Sequence, residues 1–111
     1  LWLKSQGLSH IVYSASLQQA PKIEAFAQHL MSTLPSLCID VITELRPLGT
    51  GGAAALCAQR FPSNYTLIVN GNSILLSDIR PAFKKLQQSP SLDGIIFGAN
   101  VTNAGRFGTL E

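Results

Sequence analysis

Hydrophobic positions along the chain switch between two periods. Residues 10–16 (HIVYSAS) form a short apolar run bounded by polar residues, which predicts a strand. Residues 20–34 place Ile23, Phe26, Ala27, Leu30 and Leu34 at intervals of three and four. That spacing predicts an amphipathic helix, with Pro21 tolerated in its first turn. Residues 37–43 (LCIDVIT) predict a second strand with partial alternation. A glycine-rich connection follows, then an alanine-rich helix over about 52–61. Residues 65–69 (YTLIV) are continuously apolar, the pattern of a central parallel strand, and run into the turn-like Asn70-Gly71-Asn72-Ser73. Ser77 is a candidate cap for a helix whose apolar face is Ile79, Ala82, Phe83 and Leu86, with Pro81 in its first turn. Residues 94–99 (GIIFGA) predict another buried strand, and 106–110 a final edge.

Strands alternating with helices imply βαβ units, a mostly parallel sheet and right-handed crossovers. In such sheets ligands bind beyond the carboxyl ends of the strands. The glycine segment follows one predicted strand and Asn70-Gly71-Asn72 follows another, so both are expected on one edge of the sheet. The opening Leu1-Trp2-Leu3-Lys4 reads as the tail of a helix stopped near Gly7, and the last residues, RFGTLE, stop in a strand-like edge. The expectation is a piece of a longer protein, forming at most one domain.

Composition narrows the function classes. Of 111 residues, 46% are hydrophobic and only 13% charged, against about 25% in ordinary domains. Such sparse charge suits buried strands. Net charge is +2 and Lys84-Lys85 is the one adjacent basic pair, which argues against nucleic-acid binding by a basic stripe. No long apolar run predicts a membrane span, and the first ten residues lack the core of a signal peptide. Cys38 in a strand-like run and Cys57 in a helix-like run are expected as two buried thiols in a reducing cytoplasm rather than a disulfide. His10 and His29 have no clustered Cys, His or carboxylate in the sequence and are expected to be structural. Ser14 and Ser16 lack a G-x-S-x-G setting. Asp78 is expected to support a helix N-terminus, and Phe26, Phe83 and Phe97 to lie in the core.

The glycine segment is the candidate site. Gly49-Thr50-Gly51-Gly52-Ala53-Ala54 matches G-x-G-x-x-A, the relaxed dinucleotide fingerprint, in which glycines let backbone approach a ligand at a helix N-terminus. Its setting departs from that motif. Leu45-Arg46-Pro47-Leu48 separate the glycines from the strand, and Asn70 or Asn72 stands where an acidic residue is expected about 20 positions on. No Gly-Lys-Ser/Thr follows to make a Walker A loop. The plain alternative is a flexible strand-to-helix connection.

The whole string goes further. E-x-x-PLGTGGA, then a buried run ending in NG-x-S about 20 residues on, then RFGTLE, resembles the sugar-1-phosphate nucleotidyltransferases, in particular the mannose-1-phosphate and heptose-1-phosphate guanylyltransferases. The resemblance covers nearly the whole chain; PLGTGGA is specific for the superfamily but specifies neither base nor sugar. It implies a three-layer Rossmann-like sheet with flanking helices, and a cytoplasmic enzyme transferring GMP from GTP to a sugar-1-phosphate. Pyrophosphate would be released and the product would serve lipopolysaccharide or other cell-envelope glycans. By the same likeness Leu48, Gly49, Thr50 and Gly51 would line the nucleotide-base pocket, with Glu44 beside it and Gly108 approaching the sugar.

The resemblance also implies a Mg²⁺ cofactor. Asn72 stands where the family has a metal-binding aspartate, and an amide offers an oxygen without charge, so metal affinity is expected to fall. The family's phosphate loop, glycine-rich with an Arg and a Lys, is not in the sequence, and no catalytic residue is assigned within it. The chain is thus expected to be a partial nucleotidyltransferase domain, inactive alone and self-associating through exposed strand edges. A non-catalytic nucleotide- or sugar-phosphate-binding domain is the alternative, and a dinucleotide-binding oxidoreductase piece a third.

Overall fold

The computed structural model describes residues 2–103 and 105. Gly108 and the predicted edge at 106–110 lie outside the described residues. The chain divides into two compact units, Leu1–Leu76 and Ser77–Glu111.

The first unit runs α1 (Trp2–Ser5), β1 (His10–Ser16), α2 (Ala20–Thr33), β2 (Cys38–Glu44) and α3 (Gly49–Arg60). Gly7 ends α1 as expected. Its φ of +87° is left-handed, and the Leu8 N–H donates to Leu3 O at 3.1 Å while the Gly7 N–H donates to Lys4 O at 3.0 Å. Those two bonds are the Schellman pattern, which needs a residue comfortable at positive φ. β1 and β2 pair in parallel, with His10 opposite Cys38 and Ser16 opposite Glu44. The α2 connection supplies the crossover that parallel pairing requires.

Strand period two sorts the sheet into unlike faces. Odd positions Ile11, Tyr13, Ile39 and Val41 meet Ala27, Leu30 and Met31 of α2 and Leu34 just after it, and Leu37 completes this cluster. Ala27 and Ile39 are 2% and 5% exposed, the centre of a small core. Even positions carry His10, Ser14, Ser16, Cys38, Asp40 and Glu44, apart from the apolar Val12 and the buried Ile42. The chemistry of the unit is therefore gathered on the face away from α2.

Several expectations are corrected. α3 begins at Gly49, so the glycine segment is the first turn of a helix rather than a loop before one. Residues 65–69 and 94–99 are not strands, and among the described residues the sheet has two strands only. The α/β class stands, with a two-stranded parallel sheet among the described residues, which do not show a three-layer arrangement. Hydropathy selects segments that would suit a buried strand, but a strand exists only where another backbone pairs its N–H and C=O groups. Accordingly Ile68, Phe97 and the following or neighbouring Ile74 and Ile96 are exposed, the last two at 88% and 77%. Phe26 and Phe83 are also exposed rather than core. The inward positions are Ala27, Leu30 and Met31 on α2 and Leu34 at its end, and Phe26 is not among them.

In the second unit α4 spans Arg80–Gln88. Asp78, not Ser77, closes its start: Oδ1 accepts the Arg80 N–H at 3.0 Å. Its carboxylate also takes two bonds from the Arg80 guanidinium at 2.8 Å. These bonds hold Asp78 below the usual carboxylate range and push the guanidinium up. Among the described residues no helix is long and apolar enough to cross a membrane.

Candidate functional site at the carboxyl end of the strands

Glu44 closes β2 and turns its carboxylate across the sheet. Ser14 Oγ donates to Oε1 at 2.7 Å, and the Leu48 N–H donates to Oε2 at 3.1 Å. The register makes the first bond possible, because Ser14 lies one same-face step before Ser16, the residue opposite Glu44. The second bond folds 45–48 back on the strand end and satisfies one of the donors that open a helix. Both bonds favour the charged form. The Ser14 hydroxyl, then the Leu48 amide, hold the Glu44 carboxyl below its ordinary value, against a smaller opposing effect of burial. Cys57 on α3 completes the group: burial, and then the nearby Glu44 charge, push its thiol up, while a Ser14 bond acts the other way. Cys57 therefore stays a neutral thiol near pH 7.

A pH prediction follows from the Glu44 shift. A carboxyl whose folded pKa is depressed contributes stability that is complete above the unfolded value, about 4.3, and is lost as pH falls through the folded value. Wild type should be more stable than Glu44→Gln at pH 7, with the gap closing towards pH 3. Thermal melts of both proteins at the two pH values check this. An unchanged gap would mean the carboxylate is not held by these bonds.

The expected pocket residues are partly brought together. Leu48 is bound to Glu44, and Gly49, Thr50 and Gly51 follow as the exposed first turn of α3. Gly49 has φ +68°, where side chains are disfavoured. Gly51 is different: its φ is ordinary and a Cβ there would meet nothing within 4 Å. The fold does not require a glycine at 51. The Leu48 N–H is already spent on Glu44, so the donors facing outward are those of Gly49, Thr50 and Gly51.

Asn72 follows a segment that is not a sheet strand. It is exposed in a turn closed by the Ser73 N–H on Asn70 O at 3.1 Å, and its Oδ1 accepts from Ser73 Oγ at 3.4 Å. Because 65–69 is not a sheet strand, the expected placement of both features on one sheet edge is corrected. Asn72 offers a cation one neutral amide oxygen. Gly108 lies outside the described residues.

Two groupings escaped the sequence reading: Ser14 with Glu44 and Cys57, and His10 with Cys38 and Asp40. In each, a pair 30 residues apart meets across the two strands, Ser14 with Glu44 and His10 with Asp40, and the signal that would have found them is the parallel register, which periodicity does not reveal.

The chain is 26% identical over 84 residues to D-glycero-alpha-D-manno-heptose 1-phosphate guanylyltransferase of Aneurinibacillus thermoaerophilus. The relationship is nucleotidyltransferase-like. The matched stretch is 76% of this chain and 35% of that protein, so the chain spans about a third of the length of the curated relative it matches. No protein-family model matches the chain, and no solved structure matches it.

Proposed function

We propose that this chain is the base-binding part of a cytoplasmic sugar-1-phosphate nucleotidyltransferase that uses GTP and serves cell-envelope glycan synthesis. The observation that carries the reading is the first turn of α3. Glu44 fixes Leu48, while Gly49, Thr50 and Gly51 present backbone donors with open space at Gly51, where the fold itself asks for no glycine. A flat base can lie against such backbone where a side chain would hold it off. The 26% identity to a guanylyltransferase supports the same reading.

In that reaction an oxygen of the sugar-1-phosphate attacks the α-phosphorus of GTP. A new P–O bond forms, the α–β P–O bond breaks, and pyrophosphate leaves with its electron pair. Chemistry of this kind rests on positioning and on neutralising phosphate charge. The chain contributes the positioning of the base. Its sequence has no cationic glycine-rich loop for the phosphates, and no step is assigned to Asn72. A second reading, a nucleotide- or sugar-phosphate-binding domain without catalysis, is favoured by the neutral Asn72 turn.

Calorimetric titration of the 111-residue chain with GTP should show binding, and GTP with mannose 1-phosphate or heptose 1-phosphate should release no pyrophosphate. Absence of nucleotide binding would overturn the reading; pyrophosphate release would overturn the assignment of the phosphate machinery to other sequence.

The chain should also self-associate. β1 and β2 are both edge strands among the described residues, and Ile68, Ile74 and Leu76 are exposed in the same unit. Unpaired edges and apolar surface recruit further copies. Light scattering at high micromolar concentration should report species above 11.9 kDa, and a strict monomer would exclude the contact.

A further inference from the structure

We propose that His10, Cys38 and Asp40 form a binding site for a borderline divalent cation of the zinc class, separate from the Glu44 group. The three residues share the even face of the sheet. His10 and Cys38 are register partners, and Asp40 is the next same-face position on β2. One ring nitrogen, one sulfur and one carboxylate oxygen all lie within 4.8 Å of one another. His10 Nε2 is 2.8 Å from Asp40 Oδ2, and Cys38 Sγ is 3.9 Å from the same oxygen. Tetrahedral zinc, with bonds of about 2.0–2.3 Å, sets its donors roughly 3.3–3.7 Å apart. The first spacing must open and the second close by less than about an ångström, and the His10–Cys38 spacing, at most 4.8 Å, must close by up to about 1.5 Å, within reach of side-chain rotation on exposed residues.

Three further features support the assignment. The strands hold the three Cα positions by ladder hydrogen bonds, so the backbone of the site is formed before any cation arrives; the Cys38 N–H, for one, donates to Ser9 O at 2.8 Å. The Phe61 ring, just after α3, packs edge-on against the imidazole with centroids 5.3 Å apart and limits the directions it can take. The donor set itself selects the metal. A nitrogen and a sulfur with one carboxylate suit Zn²⁺ and its neighbours in the first transition row, and not Mg²⁺ or Ca²⁺.

Charge balance agrees: a thiolate and a carboxylate offset a dication, and imidazole binds neutral. On binding, the Cys38 thiol proton and any proton shared between His10 and Asp40 pass to solvent. Three protein donors leave a position open for water or another ligand. Without a cation, an exposed His–Asp pair contributes little to stability, and the exposed Cys38 thiol has no role in the core. The site lies about 13 Å along the strands from the Ser14 and Glu44 end, so it does not depend on the nucleotide reading.

The test uses the reduced, metal-free 111-residue chain with Co²⁺ as a spectroscopic probe and Zn²⁺ as competitor. One equivalent of Co²⁺ should produce a thiolate-to-metal charge-transfer band and strong visible bands, both removed by Zn²⁺. Cys38→Ser should abolish the charge-transfer band, His10→Gln should weaken binding by more than about tenfold, and Cys57→Ser should retain both. Peptide mapping after alkylation, on wild type alone, gives an independent reading: Zn²⁺ should protect Cys38. Absence of the band at large Co²⁺ excess, its survival in Cys38→Ser, or unprotected Cys38 would overturn the site.

Discussion

Ile39→Ala should lower the unfolding free energy by about 2–5 kcal/mol. Ile39 is among the most buried large side chains of the first unit, and it joins Ala27 and Leu37 at the centre of the only buried cluster among the described residues. Truncation removes contacts that β2 makes with α2 and leaves a cavity that a hydrogen-bonded strand cannot collapse to fill. Small domains are stable by only about 5–15 kcal/mol in total, so the loss is a large fraction of what holds the sheet to its helix. Ile39→Val, which removes one methylene, should cost about 0.5–1.5 kcal/mol. Ile96→Ala, at an exposed position in the second unit, should change stability by less than about 0.5 kcal/mol. Urea denaturation of the three variants measures all of this. An Ile39→Ala effect as small as that of Ile96→Ala would mean that the odd face of the sheet is not the core.

Gly51→Val should leave stability nearly unchanged while weakening GTP binding at least about tenfold, or 1.4 kcal/mol. The two halves of this expectation come from different observations. Space around a Cβ at 51 is open and the φ is not left-handed, so the fold accommodates a side chain. Valine is also a better helix former than glycine by a few tenths of a kcal/mol. Under the proposed function, however, that same open space is where the base lies, and a branched side chain would fill it. Gly49→Ala is the contrasting variant. It forces a side chain to φ +68° and should cost about 1–2 kcal/mol of stability. Titration with GTP and a thermal melt separate the two. Unchanged GTP affinity in Gly51→Val would remove this turn from the pocket.

Local order was legible where the cause is local. The three-four spacing from Ile23 to Leu34 gave α2, and Gly7 gave the end of α1, because helix period and left-handed φ depend on neighbours within one turn. Asp78 was legible for the same reason, its carboxylate reaching an amide two residues away. Strand runs were half legible. HIVYSAS and CIDVIT became strands because they found each other, whereas YTLIV and GIIFGA, more apolar than either, did not. The start of α3 was misplaced by three residues because a glycine-rich string reads as loop until the Glu44 bond to Leu48 is seen.

By itself, then, the sequence determined the helices, the first strand–helix–strand unit, the sparse charge and the glycine string on which the nucleotide proposal rests. Each of these depends on residues close together in the chain or on composition. Only the tertiary structure decided which apolar runs pair, which face of the sheet is polar, and that Ser14 meets Glu44 while His10 meets Cys38 and Asp40. Those contacts follow from parallel register across a crossover helix. A shift of one residue would turn every one of these side chains to the opposite face, and no local pattern in the chain encodes that choice.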